Sequence, residues 1–147
     1  KYVANRFHPV AMATGNIRFI VWNMEMFVTM PCCERMQKAF GADWENSFDV
    51  FIAVECGKQA YQFANLVEKL PSDRFDTQHF PTSATHGIAI FVRKERLQFE
   101  ESPLGEFRCG CGKHGALMVR CRDKWTEQCW VFVGTHMHHT SKDGFRH

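Results

Sequence analysis

Three apolar runs in the chain end in polar side chains. Ile17-Arg18-Phe19-Ile20-Val21-Trp22-Asn23-Met24-Glu25 ends in an amide and a carboxylate. Asp49-Val50-Phe51-Ile52-Ala53-Val54-Glu55 ends in a carboxylate, and Cys129-Trp130-Val131-Phe132-Val133-Gly134-Thr135-His136-Met137-His138-His139 ends in histidines. An extended backbone alternates its side chains, so Asn23 and Glu25 share a face with Phe19 and Val21, and His136 shares one with His138. The second run is apolar at both parities, which predicts a strand covered on both faces.

Between these runs the period lengthens. Pro31 suits the first turn of a helix whose apolar face is Cys32, Met36, Ala39 and Phe40, with Gly41 as its stop. Gly57 opens a second helix, in which Ala60, Phe63, Ala64, Val67 and Leu70 have helical spacing and Pro71 is the end. Phe75 to Pro81 reads as a short strand and Gly87 to Val92 as another. Leu97-Gln98-Phe99-Glu100 alternates and is expected to pair with the latter. Ser102 to Gly115 is rich in Gly and Cys and reads as a loop. Ala116 to Cys121 and Cys129 to Thr135 read as strands joined by a turn at Asp123-Lys124. Residues 1–16 lack periodicity and read as an arm or linker before a domain over 17–147. The order β-α-β-α followed by strands predicts an α/β layered fold with a mixed sheet, its later strands forming antiparallel hairpins.

At 147 residues the chain is sized for one domain or part of one. Fourteen Phe and four Trp predict a bulky core, and a net charge of +2 is too small to argue by itself for nucleic acid. No run of about 18 apolar residues is present, so no membrane span is expected. Seven cysteines, several inside apolar runs, follow no secreted-scaffold pattern. They read as reduced thiols of an intracellular protein, cytoplasmic or in an organelle such as the mitochondrion. The chain opens on Lys-Tyr-Val and closes just after a strand tip, which reads as a processed chain or a fragment.

The polar tips carry the candidate chemistry. Asn23, Glu25 and Glu55 are hard oxygen donors, and Mg²⁺ binds through one or two carboxylates while leaving positions for water and phosphate. An amide beside a carboxylate can hydrogen-bond a phosphate oxygen without adding negative charge. His136 can donate to the same phosphate as its charge develops.

These motifs, in this order, resemble the endonuclease/exonuclease/phosphatase superfamily. Trp22-Asn23-Met24-Glu25 resembles its first motif, and Phe48 to Glu55 its second, an apolar strand ending in the metal-binding glutamate. His86-Gly87-Ile88-Ala89-Ile90-Phe91 resembles its glycine-led central strand. Val133-Gly134-Thr135-His136-Met137-His138 resembles its Thr-His strand, closest to the deadenylase branch. The resemblance implies a four-layer α/β sandwich and a phosphodiesterase or phosphomonoesterase dependent on Mg²⁺ or Mn²⁺. It implies Glu55 as metal ligand with Glu25 beside it, and Asn23 and His136 as catalytic contacts to phosphate. His138, Arg93 and Arg120 are further candidates for substrate contact.

Two departures stand out. Val54 replaces the family's usual Gln before the glutamate, and neither a Gly-Asp-x-Asn nor a terminal Ser-Asp-His motif follows; Ser72-Asp73-Arg74 is a near miss in the wrong place. The chain therefore reads as the first half of the sandwich, with an apolar face that calls for a complementing polypeptide or a larger assembly. RNA is the expected substrate, from the likeness of the Thr-His-Met-His segment to deadenylases. A lipid-headgroup or inositol phosphatase, and an inactive half-domain in a ribonucleoprotein assembly, are the alternatives.

Other features rank lower. Cys109, Cys111, His114 and Cys121 have C-x-C-x₂-H spacing, a poor match to zinc knuckles. His136 and His138 with Glu55 would make a His₂-carboxylate site for a transition metal. Arg93, Lys94 and Arg96, and Arg120, Arg122 and Lys124, form basic groups able to contact a nucleic-acid backbone. Trp44, Trp125 and Phe107 are aromatics able to stack bases or meet a protein.

Overall fold

The structure, a computed structural model, describes residues 16–24, 32–56, 61–101, 103–108 and 114–136. The arm at 1–16 therefore falls almost entirely outside the described residues, as do Glu25, His138 and the Cys109/Cys111 pair.

The first sheet contains β1 (Phe19–Asn23), β2 (Val50–Val54), β4 (Gly87–Arg93) and β3 (Phe75–Pro81), in that spatial order. β1 and β2 are parallel, with Asn23 opposite Val54, and β4 is antiparallel to both β2 and β3. Every residue of β2 and of β4 is buried, as the unbroken apolar run of β2 requires.

One face of this sheet is covered by α1 (Cys32–Phe40), α2 (Tyr61–Lys69) and a 3-10 turn at Trp44–Asn46. Met24, Met36, Trp44, Phe48, Phe51, Leu66, Phe75 and Phe91 fill that layer. The helices fall where the sequence predicts, but their buried faces are turned. Cys33 and Met36 are buried in α1 while Ala39 is exposed. The core takes Leu66 of α2 and Leu70 just beyond it, with Phe63 half-buried, and Ala64 and Val67 face solvent. The larger side chains remove more apolar area from water than alanines on the neighbouring face would.

The second sheet covers the other face. β7 (Gly115–Asp123) runs through it. β8 (Cys129–His136) pairs along one edge of β7, and β5 (Leu97–Phe99) and β6 (Gly105–Arg108) pair with its other edge. Two expectations change here. β5 joins β7, with Leu97 opposite Asp123, and not β4. The Gly-rich segment expected to be a loop contains a strand, β6, with Gly105 opposite Met118. Val50, Ile52, Ile88, Ile90, Leu117 and Val119 pack between the sheets. Gly134 lets β8 approach closely: a Cβ there would lie 2.6 Å from Ile88 Cγ2 and 2.9 Å from Ile52 Cγ2.

Helices, first sheet and second sheet are three of the four layers of an α/β sandwich. Among the described residues no helix covers the outer face of the second sheet, where Phe107, Met118, Val131 and Val133 are exposed. No described helix is long and apolar enough to cross a membrane.

Candidate phosphate-processing tip

The C-terminal ends of β1, β2 and β8 meet the N-terminal ends of β4 and β7 at one end of the sandwich. Parallel pairing sets Asn23 beside the end of β2, and Asn23 Nδ2 donates to Glu55 Oε1 at 3.0 Å. His136, at the end of β8, brings Nε2 to 3.3 Å from the same oxygen. The amide, carboxylate and imidazole singled out in the sequence thus converge on one atom. Glu55 is half-buried, its side chain 21% exposed, so its charge keeps contact with water while its neighbours orient it.

The backbone at Glu55 has φ of +60°. That region costs a non-glycine residue about 1–2 kcal/mol. The next peptide is held on both sides: the Cys56 N–H donates to Gly87 O at 3.0 Å, and His79 Nε2 donates to Cys56 O at 2.6 Å. Strain held by surrounding hydrogen bonds is a mark of functional turns. Burial pushes the Cys56 thiol up to about 12, so it stays protonated at neutral pH.

Two histidines that the sequence reading did not place in the site stand beside His136. The His86 ring stacks on it at 5.8 Å, only 13° from parallel, and the His114 ring lies 4.7 Å away, tilted by 53°. Each immediately precedes a glycine that starts a strand. A Cβ on Gly87 would lie 2.6 Å from Cys56 O, and one on Gly115 2.3 Å from Phe107 O. Only glycine permits these approaches, and they seat the preceding histidine at the tip. The repeated His-Gly pair before an apolar run was the available signal.

The remaining candidates lie elsewhere. Arg93 ends β4 at the opposite end of the first sheet, opposite Phe75. Its side chain is buried, its Nε donating to Phe48 O at 3.2 Å and its Nη2 to Glu45 O, over the Phe75 ring. The cation closes a loop with backbone carbonyls and is not presented to a substrate at the tip. Arg96 is likewise buried, 2.7 Å from Asp123 Oδ2, with Trp125 stacked over its guanidinium at 4.0 Å. Arg120 is exposed, opposite Val131, in the middle of the β7–β8 pair and on its outer face. Trp44 is a core residue stacked on Phe48, not a loop aromatic.

Among the described residues no three His, Cys, Asp or Glu side chains are grouped as a self-sufficient metal centre. The donor set instead suits a cation that asks little of the protein. One half-buried carboxylate, supported by an amide, matches Mg²⁺ or Mn²⁺, which fill most positions with water and substrate oxygens. The alternative transition-metal site through His136 and His138 involves a residue, His138, that lies outside the described residues.

The sequence matches no protein-family model and no curated protein. Solved structures do match. TDP2 of D. rerio in complex with a single-strand DNA product aligns with a TM-score of 0.64 at 17% identity, over 86% of this chain and 48% of that one. An endonuclease/exonuclease/phosphatase protein of Bacteroides vulgatus aligns at 0.64 and 16%, over 88% and 56%. The human Nocturnin catalytic domain, with a bound sulfate, aligns at 0.59 and 15%, over 86% and 51%. The chain therefore has the endonuclease/exonuclease/phosphatase fold, and it spans about half the length of the solved chains it matches.

Proposed function

We propose that the tip built by Asn23, Glu55 and His136 takes part in metal-dependent hydrolysis of phosphodiesters, with RNA as substrate. The observation that carries this reading is the convergence of the Asn23 amide and the His136 imidazole on one oxygen of Glu55. Glu55 would hold Mg²⁺ or Mn²⁺, with Glu25 as a second candidate ligand. The cation, when bound, supplies positive charge against the developing charge on phosphorus. Asn23 orients the carboxylate and offers an amide to a phosphate oxygen. His136 donates a proton-bearing nitrogen to the phosphoryl group, a contact that strengthens as the group gains charge. The D. rerio relative with its single-strand DNA product supports a nucleic acid over a headgroup or inositol phosphate.

A complementing half of the fold is part of this reading. Phe19 and Val21 on β1 face the gap between the sheets yet are 65% and 57% exposed, and Phe107, Met118, Val131 and Val133 crowd the outer face of the second sheet. Such a surface suits a partner. It also supports the second reading, an inactive half-domain within a larger assembly.

The test is hydrolysis of labelled RNA, single-stranded DNA and inositol phosphates with Mg²⁺ or Mn²⁺, using the protein with whatever chain co-purifies with it. The expected result is RNA cleavage lost with chelator and reduced at least about a hundredfold in Glu55→Gln, on the scale of losing one electrostatic contact in a transition state. Cleavage unchanged in that variant contradicts the assignment; no cleavage of any substrate by the complete assembly favours the structural role.

A further inference from the structure

The fold brings together at the tip three imidazoles from three separate stretches of chain: His86 before β4, His114 before β7 and His136 at the end of β8. The reading above uses only His136. All three rings are half-buried, and His86 and His114 each lie against His136, whose Nε2 is 3.3 Å from Glu55 Oε1. Stacked imidazoles are weak material for a core, because each ring carries two polar nitrogens that burial penalises. Imidazole N–H groups suit phosphate oxygens, and here two further rings flank the one that reaches Glu55.

The orientation of His86 is set by its own turn. The hydroxyls of Ser83 and Thr85 lie 3.3 and 3.0 Å from Nδ1, and the His86 N–H donates to Ser83 Oγ at 3.0 Å. Both hydroxyls lie at Nδ1, which leaves Nε2 as the nitrogen on the side of the ring away from the turn. His114 is fixed by the register: its neighbour Gly115 pairs with His136, so the two histidines stand at adjacent strand ends.

We propose that His86 and His114 join His136 as a three-imidazole wall that holds the oxygens of the substrate's phosphoryl group opposite Glu55. The inference rests on the reading that this tip handles phosphate, and it assigns two further binding residues to it. The wall takes a tetrahedral oxyanion, whether a phosphate monoester or a diester.

The test needs neither metal nor turnover. Inorganic phosphate, and in a parallel series dimethyl phosphate, is added to protein carrying ¹⁵N-labelled histidine, and the ring nitrogens are followed by NMR. The expected result is a saturable shift at His86, His114 and His136 with at least one probe, and none at His79, whose Nε2 is already committed to Cys56 O. Saturation by phosphate alone identifies a monoester-type site, and saturation by dimethyl phosphate a diester-type site. The double variant His86→Asn, His114→Asn should bind the same probe about tenfold or more weakly, the scale of losing charge-assisted hydrogen bonds. Shifts confined to His136, or unchanged affinity in the double variant, overturn the proposal. If the variant does not fold, the titration of the unaltered protein decides. Hydrolysis without movement of His86 and His114 overturns only this inference; a saturable wall in an assembly that hydrolyses nothing overturns only the functional reading.

Discussion

β2 and β4 of the first sheet are buried at every position, whereas β7 and β8 of the second alternate between inward and exposed residues. Both sheets are apolar and both contribute to the tip, yet one has packing on two faces and the other on one. The first sheet gives Glu55, at the end of β2, a scaffold held from both sides, while Asn23 ends β1, an edge strand whose Phe19 and Val21 stay exposed. The second carries His114 and His136 on strands whose outer face is open and partly apolar. The difference teaches that the carboxylate sits on the finished part of the sandwich and that the amide reaches it from an open edge. Two of the three histidines sit where another layer would complete the sandwich.

Four variants, one of them double, sharpen or break this contrast. The largest effect is expected for Phe91→Ala, which empties a fully buried ring between Phe51 and Phe63. It should cost about 3–5 kcal/mol in denaturant unfolding. A loss under about 1 kcal/mol would mean that the first sheet is not the rigid member of the pair.

Asp123→Asn comes next. Asp123 and Arg96 form a buried pair at the end of the second sheet away from the tip, their side chains 0% and 3% exposed. Breaking such a pair costs about 3 kcal/mol. Burial would raise the Asp123 carboxyl, but the Trp125 N–H, the Thr126 hydroxyl and Arg96 together outweigh it and hold it below its ordinary value of 3.8. Its contribution is therefore complete above that value and is lost as pH falls through the lower, folded one. Acid unfolding curves should show this loss in the unaltered protein and not in Asp123→Asn; identical acid limbs would contradict it.

Gly134→Val is expected to cost about 1–3 kcal/mol, since the added methyls meet Ile88 and Ile52 where the two sheets touch. Thermal melting reads it, and a neutral result would show that the sheets are less closely packed than the approach of β8 implies. The smallest effect belongs to Val133→Thr with Met118→Gln on the open face. Stability should change by less than about 0.5 kcal/mol at each, because neither side chain leaves a packed environment. A larger loss in the purified chain would reveal that this face is already covered in solution.

Much of this architecture was legible in the sequence for a physical reason. β1, β2 and β8 are apolar runs whose ends are marked by polar residues, and the tip residues Asn23, Glu55 and His136 sit at those marks. Pairing was less legible. Leu97-Gln98-Phe99 carries an alternating pattern that says strand but not which sheet, and only the return of β7 supplies Cys121 to Asp123 as its partners. The role of β6 was hidden because none of its residues is buried and its glycine and two charges break up any apolar run. Arg93 and Arg96 read as surface cations, since the carbonyls and the carboxylate that receive them come from distant stretches. His86 and His114 carry a local signal, the His-Gly pair before a strand, but that pair does not show that either ring will stand against His136.

The most direct test of the central claim is where a paramagnetic divalent cation binds. Mn²⁺ added in small amounts to ¹⁵N-labelled protein should broaden the amide resonances of Asn23, Glu55, Cys56 and His136 first, and this selectivity should vanish in Glu55→Gln. Broadening centred elsewhere, such as on the acidic residues Asp73 and Glu95 at the far end of the first sheet, or unchanged broadening at the tip in Glu55→Gln, would contradict it.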